Sequence, residues 1–186
     1  MMRKVLIGSA ALVAALGMAV VVQPATYHVE RSLLVHAPAE AAHALVNDFH
    51  AWRQWSPFED KDLAMRRTYG GAPAGVGATY AWASDGQVGE GKMTILQSST
   101  RGVNIELSFL KPMRATSTAT FTFTKVGDDT KVTWAMDGEN TLPSKVAHLF
   151  FNMDKALGAE FERGLDKLKS AAERSVAANL ETAKLK

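Results

Sequence analysis

The stretch from Leu142 to Leu168 constrains the fold more than any other part of the chain. Pro143 suits the first turn of a helix that begins here, and Thr141 or Ser144 can cap it. An apolar residue recurs every three or four positions, which predicts one apolar helix face. This face consists of Val146, Leu149, Phe150, Met153, Leu157, Phe161, Leu165 and Leu168. Because the face is long and rich in Phe and Met, the rest of the chain must supply a large complementary surface.

Alternating apolar and polar residues in the preceding segments predict the strands that form this surface. The segments cover residues 27–35, 65–69, 76–83, 88–97, 103–109, 114–126 and 130–138. Turn sequences such as Ser84-Asp85-Gly86 and Gly127-Asp128-Asp129 separate consecutive segments, as expected of hairpins. Two short helices are predicted after the first strand, over residues 39–47 and beyond Asp48, which can cap the second one. These elements indicate an α+β domain with a largely antiparallel sheet of six or seven strands.

The segment from Arg114 to Val126 distinguishes the two faces of that sheet. Threonine occupies every second position from Thr116 to Thr124, which predicts a solvated face. The alternate positions hold small residues and then large ones, in the order Ala115, Ser117, Ala119, Phe121 and Phe123. We expect these positions to form the inner face. Ala115, Ser117, Ala119 and Phe121 are expected to meet the helix face of Phe150, Met153, Leu157 and Phe161, and their small side chains to leave a void there.

Composition excludes several classes of function. The chain has 186 residues and a net charge of +2, and its basic residues are scattered, so nucleic-acid binding is not expected. No cysteine is present, which excludes disulfides, thiolate metal sites and cysteine nucleophiles. The histidines have no metal-ligand spacing, and the sequence has no nucleophile elbow or phosphate-binding loop. We therefore expect neither a metal nor a cofactor.

Glu90 is the one acidic residue that we consider for catalysis. It lies between Gly89 and Gly91 in a strand segment, and glycine within a strand indicates a bulge or the close approach of another group. A carboxylate that is directed into an apolar interior suits general acid or base catalysis. The alternative is that Glu90 caps a bulge or faces water beside Lys92.

The N-terminal segment predicts a membrane anchor. Arg3 and Lys4 precede the run from Val5 to Val22, which has no charged residue and spans about 27 Å as a helix. The end of this run lacks the small-residue pattern of a cleavage site, so we favour an uncleaved anchor over a cleaved signal peptide that would release the protein. Because both basic residues precede the run, we expect a cytoplasmic N-terminus. The domain is then expected across the inner membrane, in the periplasm or outside the cell.

Several motifs in the remaining sequence resemble one protein family. They are Asn47-Asp48-Phe49 followed by Trp52 and Trp55-Ser56-Pro57, Val88-Gly89-Glu90-Gly91, Thr130-Lys131-Val132-Thr133-Trp134 and Asn152-Met153-Asp154-Lys155. With the order of elements, they resemble the polyketide cyclase/dehydrase and lipid transport family of the START-like, or SRPBCC, superfamily. The resemblance covers about Tyr27 to Leu168 and implies the helix-grip fold, in which a curved antiparallel sheet wraps around a long C-terminal helix. We expect an anchor over residues 1–24, a helix-grip domain over 25–172 and a polar helical tail over 173–186.

The resemblance also implies an apolar cavity between the sheet and the C-terminal helix, used for lipids, sterols, polyketides or other hydrophobic molecules. It carries no catalytic residue over to this chain. We define the predicted cavity set as the residues expected to contact such a ligand: Trp55, Tyr80, Trp82, Phe109, Ser117, Ala119, Phe121, Trp134, Phe150, Met153 and Leu157. The leading hypothesis is a membrane-tethered domain that binds a hydrophobic small molecule or lipid. A cofactor-independent enzyme of cyclase, dehydratase or hydrolase type is the alternative, and a scaffold for other envelope proteins is a third hypothesis.

Overall fold

A curved antiparallel sheet and a long C-terminal helix dominate the computed structural model, which describes residues 17–86, 88–148 and 152–184. The strands are β1 (Thr26–Val35), β2 (Arg66–Gly71), β3 (Ala78–Ala83), β4 (Glu90–Ser99), β5 (Gly102–Lys111), β6 (Ala115–Val126) and β7 (Asp129–Glu139). The α-helices are α1 (Ala39–Asn47), α2 (Leu142–His148) and α3 (Met153–Lys184), and a 3-10 helix covers Phe49–Gln54. The predicted sheet of six or seven strands with a long C-terminal helix is confirmed.

The strands lie in the order β1-β7-β6-β5-β4-β3-β2, and every neighbouring pair is antiparallel. One end of the sheet holds the start of β1 and the end of β7, where Thr26 pairs with Glu139. Because α2 follows β7 directly, we call this end the α2 end. Near the opposite end, the His43 ring of α1 forms a hydrogen bond of 2.9 Å with Ser98 of β4. We call this end the α1 end.

The alternation predicted for β6 is confirmed. Ala119, Phe121 and Phe123 are buried, whereas Thr122 and Thr124 on the opposite face are exposed. Since side chains alternate between the two faces of a strand, the buried positions of neighbouring strands form one continuous inner face. The core of the protein lies against that face.

The two helices predicted after β1 are present, and backbone groups fix their aromatic side chains. Asp48 caps the 3-10 helix, because its carboxylate accepts a backbone N–H hydrogen bond at 2.8 Å. The indole N–H of Trp52 donates to the Val46 carbonyl at 3.0 Å, and that of Trp55 donates to the Leu45 carbonyl at 3.0 Å. Both rings are buried, so this segment directs its large side chains into the core.

The prediction of one continuous C-terminal helix is wrong in its boundaries. α2 ends at His148, and α3 begins at Met153. Asn152 caps α3, because its side-chain oxygen accepts a hydrogen bond from a backbone N–H three residues later at 2.8 Å. Leu149 and Phe150, which were predicted on the apolar helix face, lie outside the described residues.

α3 packs along β1 and α1. Its buried residues are Gly158, Phe161, Gly164, Leu165, Leu168, Ala171 and Ala172. Arg31 of β1 donates to Glu162 at 2.8 Å and to Asp154 at 3.0 Å, while Lys169 donates to the Leu34 carbonyl at 2.7 Å. The start of α3 therefore lies towards the α2 end of the sheet. The helix continues through the segment predicted as a polar tail, where residues 177–184 are exposed.

Only the last part of the predicted anchor lies within the described residues. Residues 17–21 are helical, and the rest of the run from Val5 lies outside the described ranges. Within those ranges, no helix is long and apolar enough to cross a membrane. Residues 23–25 lead into β1, and the Gln23 carbonyl accepts a hydrogen bond from Lys145 of α2 at 2.9 Å.

Candidate functional site

Four aromatic side chains meet in the centre of the interior. Phe121 and Trp134 are paired neighbours on β6 and β7, and their ring centroids lie 5.0 Å apart. Phe161 of α3 stacks on Trp134 with a centroid distance of 4.1 Å and an interplanar angle of 11°. The Trp55 ring meets Trp134 edge-on at 5.6 Å. The structure thus brings three members of the predicted cavity set, Trp55, Phe121 and Trp134, into one cluster.

The indole N–H of Trp134 has no hydrogen-bond acceptor among the described residues, although only 2% of this residue is exposed. A buried donor without an acceptor costs about 1–3 kcal/mol. The ring is held in place, because Phe161 stacks on it and the backbone of α3 approaches it closely at Gly164. A methyl group at Gly164 would lie only 2.7 Å from the indole. The interior therefore contains a fixed hydrogen-bond donor without an acceptor among the described residues.

A second aromatic group lines the inner face from β3 to β5. Tyr80 and Trp82 lie 6.2 Å apart, and Trp82 meets Phe109 edge-on at 5.9 Å. Trp82 covers Gly91 on the neighbouring strand, where any side chain would collide with the ring. The close approach predicted at Gly91 is confirmed, and the group that approaches it is an aromatic side chain of the same sheet.

A buried ion pair that no sequence pattern predicted borders this second group. The Glu59 carboxylate is buried and accepts hydrogen bonds from Arg67 Nε at 2.6 Å and from the Tyr80 hydroxyl at 2.6 Å. Burial raises the pKa of Tyr80, and the hydrogen bond to Glu59 raises it further. Because each carboxylate oxygen has a partner, the charge of Glu59 is compensated within the fold. This cluster fixes the β2–β3 edge of the sheet.

Tyr27 and Ser117 form a hydroxyl pair on the inner face at the α2 end, with their oxygens 2.8 Å apart. Tyr27 of β1 reaches across β7 to β6, because Gly138 lies between the two residues in the sheet register and leaves space for the phenol ring. Burial raises the pKa of Tyr27, and the hydrogen bond with Ser117 opposes that shift. Ser117, a member of the predicted cavity set, thus forms a hydrogen bond with Tyr27, which is not a member of that set.

The remaining members of the predicted cavity set lie on β6 and α3. Ala119 is buried, and Met153 and Leu157 are half-buried at the start of α3, where they pack against the core. Phe150 lies outside the described residues. The partial exposure of Met153 and Leu157 leaves apolar surface accessible at the start of α3.

Glu90 lies at the first position of β4, at the α2 end of the sheet. Its carboxylate accepts a hydrogen bond from the exposed Lys111 at 2.7 Å. A register shift between Glu90 and Gly91 marks a β-bulge, and Gly89 adopts a positive φ of 64°. This geometry matches the bulge that the glycines predicted, whereas a catalytic role for Glu90 stays a prediction.

Two surface clefts are lined by described residues. One has a volume of about 240 Å³ and lies beside His50 and Tyr69. The other, of about 650 Å³, is polar and includes Lys61 and Arg66. Neither cleft contains a member of the predicted cavity set. In the part of the chain that the structure describes, no three His, Cys, Asp or Glu side chains cluster as metal ligands.

The fold is similar to several solved structures. A protein from Chromobacterium violaceum has a TM-score of 0.57 at 13% identity, over 81% of this chain and 99% of that chain. The di-domain ARO/CYC protein StfQ of the steffimycin biosynthetic pathway has a TM-score of 0.59 at 12% identity, over 82% of this chain and 52% of that chain. A point mutant of norcoclaurine synthase from Thalictrum, in complex with a transition-state analogue, has a TM-score of 0.57 at 15% identity, over 82% and 99% of the two chains. At these identities the likeness establishes the fold alone.

Comparison at the level of sequence identifies the family. No curated protein matches the chain. The family model described as "Polyketide cyclase / dehydrase and lipid transport" matches residues 26–173. This range holds all seven strands and most of α3, so the resemblance seen in the sequence motifs is confirmed. The chain belongs to the polyketide cyclase/dehydrase and lipid transport family.

Proposed function

We propose that this protein binds a hydrophobic small molecule or lipid between the inner face of the sheet and α3. The description of its family, which names polyketide chemistry and lipid transport, supports a hydrophobic ligand. Buried apolar residues of β4 to β7 form the wall on the sheet side, and the half-buried Met153 and Leu157 form part of the wall on the helix side. Binding sites for such ligands are mostly apolar, with a few polar groups that fix orientation.

The observation that carries this proposal is the buried indole N–H of Trp134, which lacks an acceptor among the described residues. A ligand that presents an oxygen atom satisfies this donor and recovers about 1–3 kcal/mol. The hydroxyl pair of Tyr27 and Ser117 lies on the same face of the sheet as Trp134. Gly138, which lies between the two hydroxyl residues, follows Trp134 by four positions on β7, or about 13 Å along the strand. Ala119, which is buried, lies between the two polar points. The arrangement fits a ligand with an apolar body and an oxygen-containing group.

Native mass spectrometry of the full chain, extracted gently in detergent, tests the proposal. We expect a co-purified hydrophobic molecule. We also expect Trp134→Phe to weaken binding of a fatty acid by about fivefold to tenfold, since one hydrogen bond of about 1 kcal/mol or more is lost. Binding of a hydrocarbon of equal length should not change. Trp52→Phe is the matched control, because the Trp52 N–H already has an acceptor in the Val46 carbonyl and Trp52 is not a member of the predicted cavity set. A chain that is empty and takes up neither compound would overturn the proposal.

A cofactor-independent enzyme that uses the same interior is the second candidate, and Tyr27 is the residue that favours it. Burial keeps its hydroxyl protonated, so it is suited to donate a hydrogen bond to an oxygen atom of a bound substrate. Two structures of similar fold carry names of the cyclase or synthase type. The mass of the bound molecule separates the two candidates. This mass stays unchanged if the protein only binds the molecule. It changes if the protein is an enzyme, and Tyr27→Phe then stops the conversion.

We further propose that the run from Val5 to Val22 holds the domain at the outer face of the inner membrane. The absence of charge in this run and the position of Arg3 and Lys4 before it support this location. A reporter that is active only outside the cytoplasm, fused after Lys186, is expected to be active. The fusion is also expected to stay with the membrane fraction after carbonate washing. Release of a smaller soluble species would show cleavage and remove the tether.

A further inference from the structure

Exposed apolar side chains are concentrated at the α2 end of the sheet. They come from three segments that are distant in sequence: the chain before β1, the segment from the end of β5 to the start of β6, and α2. The members are Val21, Val22, Leu110, Met113, Leu142 and Val146, which are between 47% and 72% exposed. We call them the apolar rim. Exposed apolar side chains that cluster on a protein surface are typical of a site of interaction.

The strand order places these three segments side by side. β1, β7, β6 and β5 are consecutive in the sheet, so three interstrand spacings, about 14 Å in total, separate β1 from β5. The backbone N–H of Asn140 donates to the Ala25 carbonyl at 2.7 Å. Lys145 donates to the Gln23 carbonyl at 2.9 Å. The chain before β1 is therefore attached to the start of α2, and all three segments of the apolar rim lie at the same end of the sheet.

The α1 end of the sheet differs. Among the described residues, the exposed large apolar side chains of the strands and their connections towards that end are Leu34 of β1, Leu96 of β4, Val76 in the β2–β3 connection and Val126 at the end of β6. They are spread over the width of the sheet, from β1 to β3. Exposed apolar side chains that are scattered in this way are common on protein surfaces and mark no interaction site.

Basic residues flank the apolar rim. The end of β5 and the β5–β6 connection together read Leu110-Lys111-Pro112-Met113-Arg114, and both cationic side chains of this segment are exposed. Lys111 also pairs with Glu90, and Lys155 is exposed at the start of α3. Apolar side chains beside cations suit a bilayer surface. There, apolar groups reach the acyl chains and cations are attracted to anionic headgroups.

The chain enters the sheet at this same end. Val22, the last residue of the uncharged run, precedes Thr26, the first residue of β1, by four positions. Four residues span at most about 14 Å. A run that lies in a bilayer therefore holds the α2 end within about 14 Å of the membrane surface. The α1 end is farther away by the length of β1, roughly 30 Å.

We propose that Val21 and Val22 of the apolar rim lie in the lipid bilayer with the N-terminal run and that the other four members rest on its surface, so that the α2 end of the sheet faces the membrane. This inference rests on the tether proposed above. The accessible apolar surface of Met153 and Leu157, at the start of α3, then lies on the membrane side of the molecule. A hydrophobic ligand passes between the interior and the bilayer there without crossing bulk water.

Because the chain has no cysteine, single cysteines can be introduced and labelled with a polarity-sensitive fluorophore. The full chain carrying Met113→Cys or Leu142→Cys probes the apolar rim. Val76→Cys and Val126→Cys are matched controls at the α1 end, and Val13→Cys tests the tether. Each labelled protein is reconstituted into phosphatidylcholine and phosphatidylglycerol vesicles, with or without phospholipids that carry a nitroxide quencher on the acyl chain. We expect the labels at positions 13, 113 and 142 to lose most of their emission to the quencher, and those at 76 and 126 to keep it.

The two proposals fail in different ways in this experiment. Quenching at position 13 without quenching at 113 and 142 would keep the tether and overturn the membrane-facing rim. Quenching at 113 and 142 without quenching at 13 would keep the rim as a docking surface and remove the tether. Equal quenching at both ends of the sheet would show non-specific insertion, which overturns the proposed orientation. A blue-shifted but unquenched label at 113 or 142 would mean that a second copy of the chain covers the rim in place of lipid.

Discussion

The charge of Glu59 lies in the core, and Arg67 and Tyr80 are the residues that compensate it. Removing one partner of a buried ion pair leaves an uncompensated charge, so we expect Arg67→Leu to lower the free energy of unfolding by about 3–5 kcal/mol. Arg66→Leu is the matched control, since Arg66 is the neighbouring residue on β2 and is exposed. We expect it to change stability by no more than about 0.5 kcal/mol. Urea unfolding measures the free energy of unfolding of both variants. Equal losses in the two variants would show that the ion pair is not a main source of stability.

The raised pKa of Tyr80 predicts how stability depends on alkaline pH. As pH rises above about 10, tyrosines in the unfolded chain lose their proton first, whereas the folded protein keeps Tyr80 protonated. The stability contributed by this shift is fully present below about pH 10 and is lost as pH rises further. The pKa values of Tyr27 and Tyr69 are also raised, so the parent protein alone does not isolate the effect of Tyr80. The test is therefore a comparison of the parent with Tyr80→Phe.

We expect the parent protein to lose unfolding free energy more steeply than Tyr80→Phe between about pH 9 and about pH 11. Denaturant unfolding at several pH values gives the two slopes. The variant is less stable at neutral pH, because Glu59 loses a hydrogen bond, but this offset does not affect the slope. Parallel curves would mean that Tyr80 titrates in the folded protein as it does in the unfolded chain.

Single residues were the part of the site that the sequence predicted least well. Glu59 lies in a segment without periodicity, and its partners, eight and 21 positions away, are joined to it only by the tertiary fold. Glu90 attracted attention because glycines flank it. The structure shows that Gly91 makes room for the Trp82 ring and that Gly89 approaches the backbone of Lys111 closely. A glycine pattern therefore predicted the bulge but not the group that fills the space.

At the scale of elements, alternation predicted the strands well because one face of each strand is buried. The boundaries of the C-terminal helices were not predicted, since an apolar repeat of three or four residues continues across the end of one helix and the start of the next. Asn152 is the signal that could have revealed the break, because an asparagine three residues before the bonded backbone N–H is typical of a helix cap. The buried face of α3 extends to Ala172, beyond the predicted apolar face.

The two ends of α3 differ in burial, and this predicts different effects of the same substitution. Leu168 is fully buried, so we expect Leu168→Ala to lower the unfolding free energy by about 2–5 kcal/mol. Leu157 is half-buried, and we expect a clearly smaller loss for Leu157→Ala, because the deleted atoms already contact solvent in part. Urea unfolding of both variants compares the two sites. A larger loss at Leu157 would mean that the start of α3 is packed as tightly as its middle.

At the scale of the whole molecule, the number of strands and the antiparallel sheet followed from alternation and turn residues, while the family and its helix-grip fold were implied by the resemblance of local motifs and element order. The contacts of α3 did not. The helix was expected to lie against Ala115, Ser117 and Ala119 of β6, whereas it packs chiefly along β1 and α1. Sequence periodicity shows which face of an element is buried, but the order of the strands decides which neighbour covers it.

The central claim is that a hydrophobic ligand occupies the interior beside β6. The most direct test is uptake of a fluorescent fatty acid by the full chain, measured for the parent, Ala119→Leu and Thr118→Leu, together with their thermal midpoints. Ala119 lies on the inner face and Thr118 is its neighbour on the outer face. We predict that Ala119→Leu abolishes uptake with little change in the midpoint, because the added bulk occupies the ligand's space, and that Thr118→Leu behaves as the parent. The claim would be contradicted if the parent took up no probe and Ala119→Leu destabilised the fold by about 1–3 kcal/mol, as overpacking of a solid core does.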